Sequence, residues 1–236
     1  MGRRLLTQRI DQLPVRMEQH ELLVGSNFVT YGTLVPKAAA PAAGHPLIVA
    51  LHYGTPEGPG LSPYFGLGYV GQLVLPALQD LNAVIIAPDA PEASWAHAGS
   101  EEAVLAVIAD VKKRVTIDAR RTLVTGFSLG GFGAWFFAQA HPELFRAAIP
   151  MAAAPRGEGE DPEAPPRPLK MPAYAIHSRA DGTVPLARVE RGVAALRAQG
   201  GDVTLRILDD IPHHLIPGYI DALHETLPWV QKAWAR

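Results

Sequence analysis

The stretch Thr122-Leu123-Val124-Thr125-Gly126-Phe127-Ser128-Leu129-Gly130-Gly131-Phe132-Gly133 decides how the rest of the chain is read. An apolar run ends at Gly126, and a helical pattern runs from Leu129 to Ala140. Ser128 therefore sits at the corner between a strand and a helix. The spacing Gly126-x-Ser128-x-Gly130 is that of a nucleophile elbow. Such a corner strains the serine backbone and projects its hydroxyl above the sheet. The residues two before and two after it are pressed together, so they must be small. The helix that follows aims its first backbone N–H groups at whatever the serine attacks.

Outward from this corner, strands and helices alternate. Pro46 to Leu51 and Ala83 to Ala87 are continuous apolar runs, as expected of strands buried on both faces. Phe145 to Met151, Ala173 to His177 and Val203 to Leu208 add three more strands. Before them, Val15 to Val24 and Phe28 to Val35 form a predicted hairpin around Gly25-Ser26-Asn27. Residues 1–14 read as a peripheral arm. Helices are predicted over Val70 to Leu81, offset by Pro76, and over Glu101 to Val115, with Ser100 as N-cap. Further helices are predicted over Pro185 to Gln199 and Tyr219 to Trp234, the last broken near Pro228. Residues 155–168 are polar and proline-rich and read as a surface loop. The sum is a mostly parallel eight-stranded α/β sheet with helices on both faces, in one domain spanning 1–236.

Composition narrows the function classes. The 236 residues carry 48% hydrophobic and 19% charged side chains, enough for a large core. A net charge of −2 gives no reason to expect a nucleic-acid or membrane partner. With no cysteine, disulfides and thiolate metal sites are excluded. The basic start Met1 to Arg9 lacks the apolar core of a signal peptide, so a cytoplasmic protein is expected; a processed secreted form would read the same.

A serine nucleophile needs a general base, and the base needs an orienting acid. Asp181 follows one strand, and Asp209-Asp210-Ile211-Pro212-His213-His214 follows the last. Both loops leave carboxyl ends of strands, where open parallel sheets bind ligands. Asp181 is preferred over Asp209 and Asp210, which lie on the same loop as the histidines. His52-Tyr53-Gly54 begins a glycine-rich loop at a third strand end and is a candidate for backbone donors. Trp95 and Phe127 are candidate pocket aromatics. Tyr64, Phe65, Leu67 and Tyr69 are as well explained by core packing, and His97 reads as a surface residue.

These motifs resemble the serine esterases of the α/β-hydrolase superfamily, in the carboxylesterase, dienelactone-hydrolase and feruloyl-esterase-like branches. Leu51-His52-Tyr53-Gly54 resembles the oxyanion loop, Asp118 to Gly131 the elbow, His141 to Phe145 the helix end after it, and Asp181-Gly182-Thr183-Val184-Pro185 the acid loop. Two residues depart from the pattern: Tyr53 intervenes in the usual His-Gly pair, and Pro212 replaces the usual glycine before the histidine. The resemblance implies a cofactor-free, metal-free hydrolase of small-molecule esters, with Ser128, Asp181 and a histidine as triad. It implies oxyanion donors at Leu129 and near Tyr53. Counts from the last strand and from Pro228-Trp229 favour His213 as the base. A local His-x-Ile-Pro match, His214-Leu215-Ile216-Pro217, favours His214. Alternative readings are a serine peptidase of the same fold, a non-catalytic binding protein, and a zinc hydrolase on His177, His213 and His214.

Overall fold

The computed structural model describes residues 13–54, 63–157 and 164–236. Most of the predicted N-terminal arm, the glycine-rich loop beyond Gly54 and the centre of the proline-rich loop lie outside the described residues. Eight strands form one sheet in the order β1-β2-β4-β3-β5-β6-β7-β8. They are β1 (Val15–Val24), β2 (Asn27–Pro36), β3 (His45–Leu51), β4 (Val84–Pro88), β5 (Ile117–Phe127), β6 (Ala147–Met151), β7 (Ala173–Ser178) and β8 (Val203–Leu208). β2 pairs antiparallel with β1 and with β4, and every other pairing is parallel. The β1–β2 hairpin closes through Gly25 at φ 59°, and Val24 pairs directly with Asn27. A two-residue hairpin turn needs such left-handed backbone, which glycine adopts without strain.

The alternation of β3 sorts the two apolar layers. Leu47, Val49 and Leu51 join the layer that includes α3 (Ala98–Arg114), α4 (Leu129–Ala140) and α5 (Leu186–Ala198). Ile48 and Ala50 face the opposite layer, with the helical run of residues 65–81, α6 (Ile220–His224) and α7 (Leu227–Trp234). Every residue of β3 and β4 is buried. A strand covered on both faces has no polar side to show, which is why Pro46 to Leu51 and Val84 to Pro88 are uniformly apolar.

Three helices differ from the sequence expectation. The helix predicted over 70–81 begins earlier and changes winding. It passes from α1 (Phe65–Tyr69) through a π segment (Val70–Val74) and α2 (Leu75–Leu78) to a 3-10 turn (Gln79–Leu81). Pro76 has no N–H to donate and its ring crowds the carbonyl one turn back, so the chain widens just before it. In α3 the N-cap is His97, not Ser100. Ser100 is buried inside the helix, and its backbone N–H donates at 3.0 Å to Glu92 from the preceding loop. The closing helix is three pieces: a 3-10 turn (Ile216–Tyr219), α6 and α7. Pro228 lies in the first turn of α7, where its missing N–H leaves no bond unmade. The break falls before it, at Glu225-Thr226.

Candidate active site

Ser128 sits between β5 and α4 at φ 54°, ψ −115°, a sparsely populated backbone conformation for a residue with a side chain. Its N–H donates to the Met151 carbonyl at 3.0 Å, and its carbonyl accepts the Phe132 N–H at 2.9 Å. The corner is tight enough to require both flanking glycines. A Cβ on Gly126 would lie 2.2 Å from the Gly130 carbonyl oxygen, and one on Gly130 would lie 1.9 Å from that of Leu51.

Two further loops bring their side chains to this corner. Asp181 follows β7 and His213 follows β8, so all three residues lie at carboxyl ends of strands. The Ser128 hydroxyl is 2.8 Å from His213 Nε2, and His213 Nδ1 is 2.7 Å from Asp181 Oδ2. The carboxylate accepts Nδ1–H, which leaves Nε2 free to accept the serine proton. Asp181 Oδ1 accepts the backbone N–H groups of Thr183 at 2.9 Å and Val184 at 2.8 Å. The carboxylate is therefore held at one oxygen by its own turn and presents the other to the imidazole. The Ser178 hydroxyl accepts the N–H groups of Ala180 and Ile211, each at 3.2 Å, and so ties the acid loop to the histidine loop. Asp181 and His213 are buried, whereas His214, Asp209 and Asp210 are exposed. The structure thus brings together Ser128, His213 and Asp181, and leaves His214 turned edge-on to the His213 ring.

The loop leaving β3 is fixed by a residue that the sequence did not mark out for this task. His52 is buried, and its Nε2 accepts the Ala90 N–H at 3.0 Å. That acceptor role places the ring proton on Nδ1, which donates to the Tyr53 carbonyl at 2.7 Å. Burial holds the His52 pKa below its ordinary value, in keeping with this neutral form; the Tyr53 carbonyl and Asp89 oppose the shift. Trp95 Nε1–H donates to the His52 carbonyl at 3.1 Å. Asp89 completes the scaffold, accepting from Thr30 Oγ1–H at 2.5 Å and from the backbone N–H groups of Tyr64 and Gly66 at 2.5 and 2.8 Å. It seats the start of α1 so that Phe65 packs edge-on against His52 and Tyr53. The sequence marks His52 as part of the donor loop but not what its ring holds, and nothing sets Asp89 apart from an ordinary loop residue, because their partners are distant in the chain.

Leu129 opens α4, so its backbone N–H has no intrahelical partner. Tyr53 is half-buried, its ring edge-on to Phe65 and Tyr69. The pocket assignments for Trp95 and Phe127 are corrected by their burial, 0% and 1% exposed. Trp95 lies beneath the loop it bonds to, and Phe127 packs between His213 and Tyr219. Both are core residues that support the site from below. The three histidines of the zinc alternative do not converge: His213 bonds Ser128 and Asp181, His177 bonds the Val184 carbonyl, and His214 faces out. Among the described residues no group of three or more His, Asp or Glu is placed to hold a metal ion.

Strand order, helices on both faces and the serine corner after β5 together define the α/β-hydrolase fold. A thermostable esterase superposes with a TM-score of 0.71 at 24% identity, over 93% of this chain and 63% of that one. Pyrococcus horikoshii acylaminoacyl peptidase superposes with a TM-score of 0.73 at 14% identity, over 94% of this chain and 42% of that one. In sequence, the chain is similar to a probable feruloyl esterase C of Aspergillus flavus, 31% identical over 111 residues. That match covers 44% of this chain and 38% of the relative, so the chain spans well under half the length of the curated relatives it matches. No protein-family profile matches the chain. No helix among the described residues is long and apolar enough to cross a membrane.

Proposed function

We propose that this protein is a carboxylic-ester hydrolase that works through an acyl-serine intermediate. The observation that carries the reading is the unbroken hydrogen-bond chain from Ser128 Oγ through His213 to Asp181, standing on a strained strand-to-helix corner. As the Ser128 oxygen attacks the ester carbonyl, His213 Nε2 takes its proton. Asp181 holds the imidazole in the productive tautomer and stabilises the imidazolium that forms. The developing oxyanion is received by the backbone N–H of Leu129 and by a donor at Tyr53, whose loop His52 and Trp95 keep rigid. The tetrahedral intermediate collapses, the C–O bond breaks, and His213 returns the proton to the leaving alcohol. Water, deprotonated by the same histidine, then releases the acid and restores the serine. No step calls for a metal or an organic cofactor. The substrate class is a small-molecule ester, and a cytoplasmic location without nucleic-acid or membrane partners completes the reading. The feruloyl-esterase similarity supports an ester over an amide, whereas the peptidase superposition keeps amides as the second reading.

The test is a panel of p-nitrophenyl esters of increasing acyl length beside a panel of aryl amides. Esters should turn over with a clear chain-length optimum and amides slowly. Faster amide cleavage would favour the peptidase reading. A fluorophosphonate probe should label Ser128 alone, and Ser128→Ala should fold and lose hydrolysis. His213→Ala should lose most activity and His214→Ala should keep most of it. Wild-type turnover in Ser128→Ala, or label at another residue, would overturn the proposal.

A further inference from the structure

One buried histidine next to the triad has no part in the chemistry above. His177 is the penultimate residue of β7 and is 1% exposed. Its Nε2–H donates to the Val184 carbonyl at 2.8 Å, and its Nδ1 has no hydrogen-bond partner among the described residues. Because the Val184 carbonyl must accept and burial disfavours the cation, the ring is neutral with its proton on Nε2. Leaving a buried acceptor unpaired is unfavourable, and an apolar side chain at this strand end would avoid it. Among the described residues the one hydrogen bond of the imidazole is to Val184, and Val184 grips Asp181 with its own N–H. His177 Nε2 lies 3.8 Å from Asp181 Oδ2, too far for a hydrogen bond.

We propose that His177 is a positioning residue for the Asp181–His213 pair: its imidazole pins the Val184 carbonyl, closing the turn that presents Asp181 Oδ2 to His213 alone. The inference rests on the reading of Ser128, His213 and Asp181 as the catalytic set. The ionisable groups that act on His177 among the described residues are Asp181, on its own loop, and His213, from the loop after β8. Burial dominates and lowers the His177 pKa from its ordinary value. Neutrality matters to the triad. A cationic His177 at that distance would compete with His213 for the carboxylate and make His213 a weaker base.

Three substitutions separate positioning from packing. A glutamine amide nitrogen reaches the place of imidazole Nε2, so His177→Gln keeps the Val184 bond. An asparagine nitrogen reaches the place of Nδ1, where nothing accepts, and phenylalanine fills the space with no donor. His177→Gln should remain close to wild type. His177→Asn and His177→Phe should lose about ten- to a hundredfold in kcat per labelled serine, the size of effect a displacement of about 1 Å produces. KM should hold. With Asp181 less well placed, the His213 imidazolium loses stabilisation, so the acid limb of the kcat/KM profile should move to lower pH. The far-downfield NMR signal of His213 Nδ1–H should weaken in the same two variants. A role in packing alone would lower the melting temperature and leave kcat, the acid limb and that signal unmoved. Either that result, or a glutamine variant as impaired as the phenylalanine one, would overturn the proposal. Nitrogen-15 NMR of wild type tests it without any variant: His177 must stay neutral and Nε2-protonated across the acid limb. If wild type neither cleaves esters nor takes the fluorophosphonate label, the proposed function fails, while the NMR signals still report whether His177 sets the Asp181–His213 bond.

Discussion

Asp181→Asn is the most informative single change, because the structure dictates how the new amide must sit. Asp181 Oδ1 accepts two backbone N–H groups, from Thr183 and Val184. Asparagine has one oxygen, and those two donors claim it. The NH₂ group is then left at the position of Oδ2, 2.7 Å from His213 Nδ1. Two donors face one another unless the imidazole moves its proton to Nε2. With Nε2 protonated, His213 has no lone pair for the Ser128 proton. The corresponding change in a serine-protease triad lowers kcat about 10⁴-fold, or about 5.4 kcal/mol at about 1.36 kcal/mol per tenfold. A loss of that order is expected, with a near-wild-type melting temperature because the side chain is isosteric. The assay is ester turnover per folded molecule, paired with nitrogen-15 NMR of the His213 tautomer. Turnover within about tenfold of wild type would refute the reasoning. So would a dead Asp209→Asn or Asp210→Asn beside an active Asp181→Asn.

Ser128→Gly should abolish hydrolysis and also stabilise the fold. Removing the strain of a side chain at φ 54° gains about 1–3 kcal/mol, and glycine's extra unfolded-state freedom takes back about 0.5–1 kcal/mol. A net gain of about 1 kcal/mol raises the melting temperature by about 2–4 °C, and an unchanged or lower melt would argue against strain at the corner. Gly130→Ala should do the reverse, since its Cβ would meet the Leu51 carbonyl oxygen at 1.9 Å and backbone cannot swing aside. A loss of about 3 kcal/mol or more is expected, visible as a lower denaturation midpoint; a silent alanine would show that the corner is looser than described. His52 and His177 both have pKa values lowered by burial from 6.5. As pH falls below that value the unfolded chain takes up protons that the native state refuses. Stability should therefore drop with falling pH, by up to about 1.4 kcal/mol per pH unit for each histidine, until the lowered native values are passed. Denaturant titrations from about pH 7.5 to about pH 5 read this slope; His177→Gln should flatten it, and a pH-independent midpoint would refute it.

The elbow was legible because its constraint is local: glycine, serine and glycine at fixed spacing between an apolar run and a helix pattern. The buried strands were legible for a similar reason, since a strand covered on both faces has no polar positions to blur it. What the sequence left open depended on distant partners. Ser100 has the right chemistry for an N-cap, yet Glu92 folds back to the first turn of α3 and the helix begins earlier. Trp95 and Phe127 carry rings suited to a pocket wall or a core, and only the packing assigns them to the core. Neighbouring His213 and His214 are chemically identical, and what distinguishes them is which way the loop turns after β8. The supporting roles of His52 and Asp89 come from bonds to residues up to 59 positions away, beyond the reach of any local pattern.

His213 hangs from β8, which has a neighbour on one side only and no fully covered face after Val203. Ser128, by contrast, follows β5, flanked by β3 and β6 and buried over its last six residues. Edge segments with few buried contacts open locally at lower free energy than central strands. Ser128 thus follows a central strand, covered where it ends, and His213, its proposed proton acceptor, follows an edge strand. On warming, catalysis should fade while circular dichroism still shows an intact fold, and return at once on cooling. The expected consequence is a useful temperature range limited by how firmly β8 holds to β7 rather than by the melting of the core.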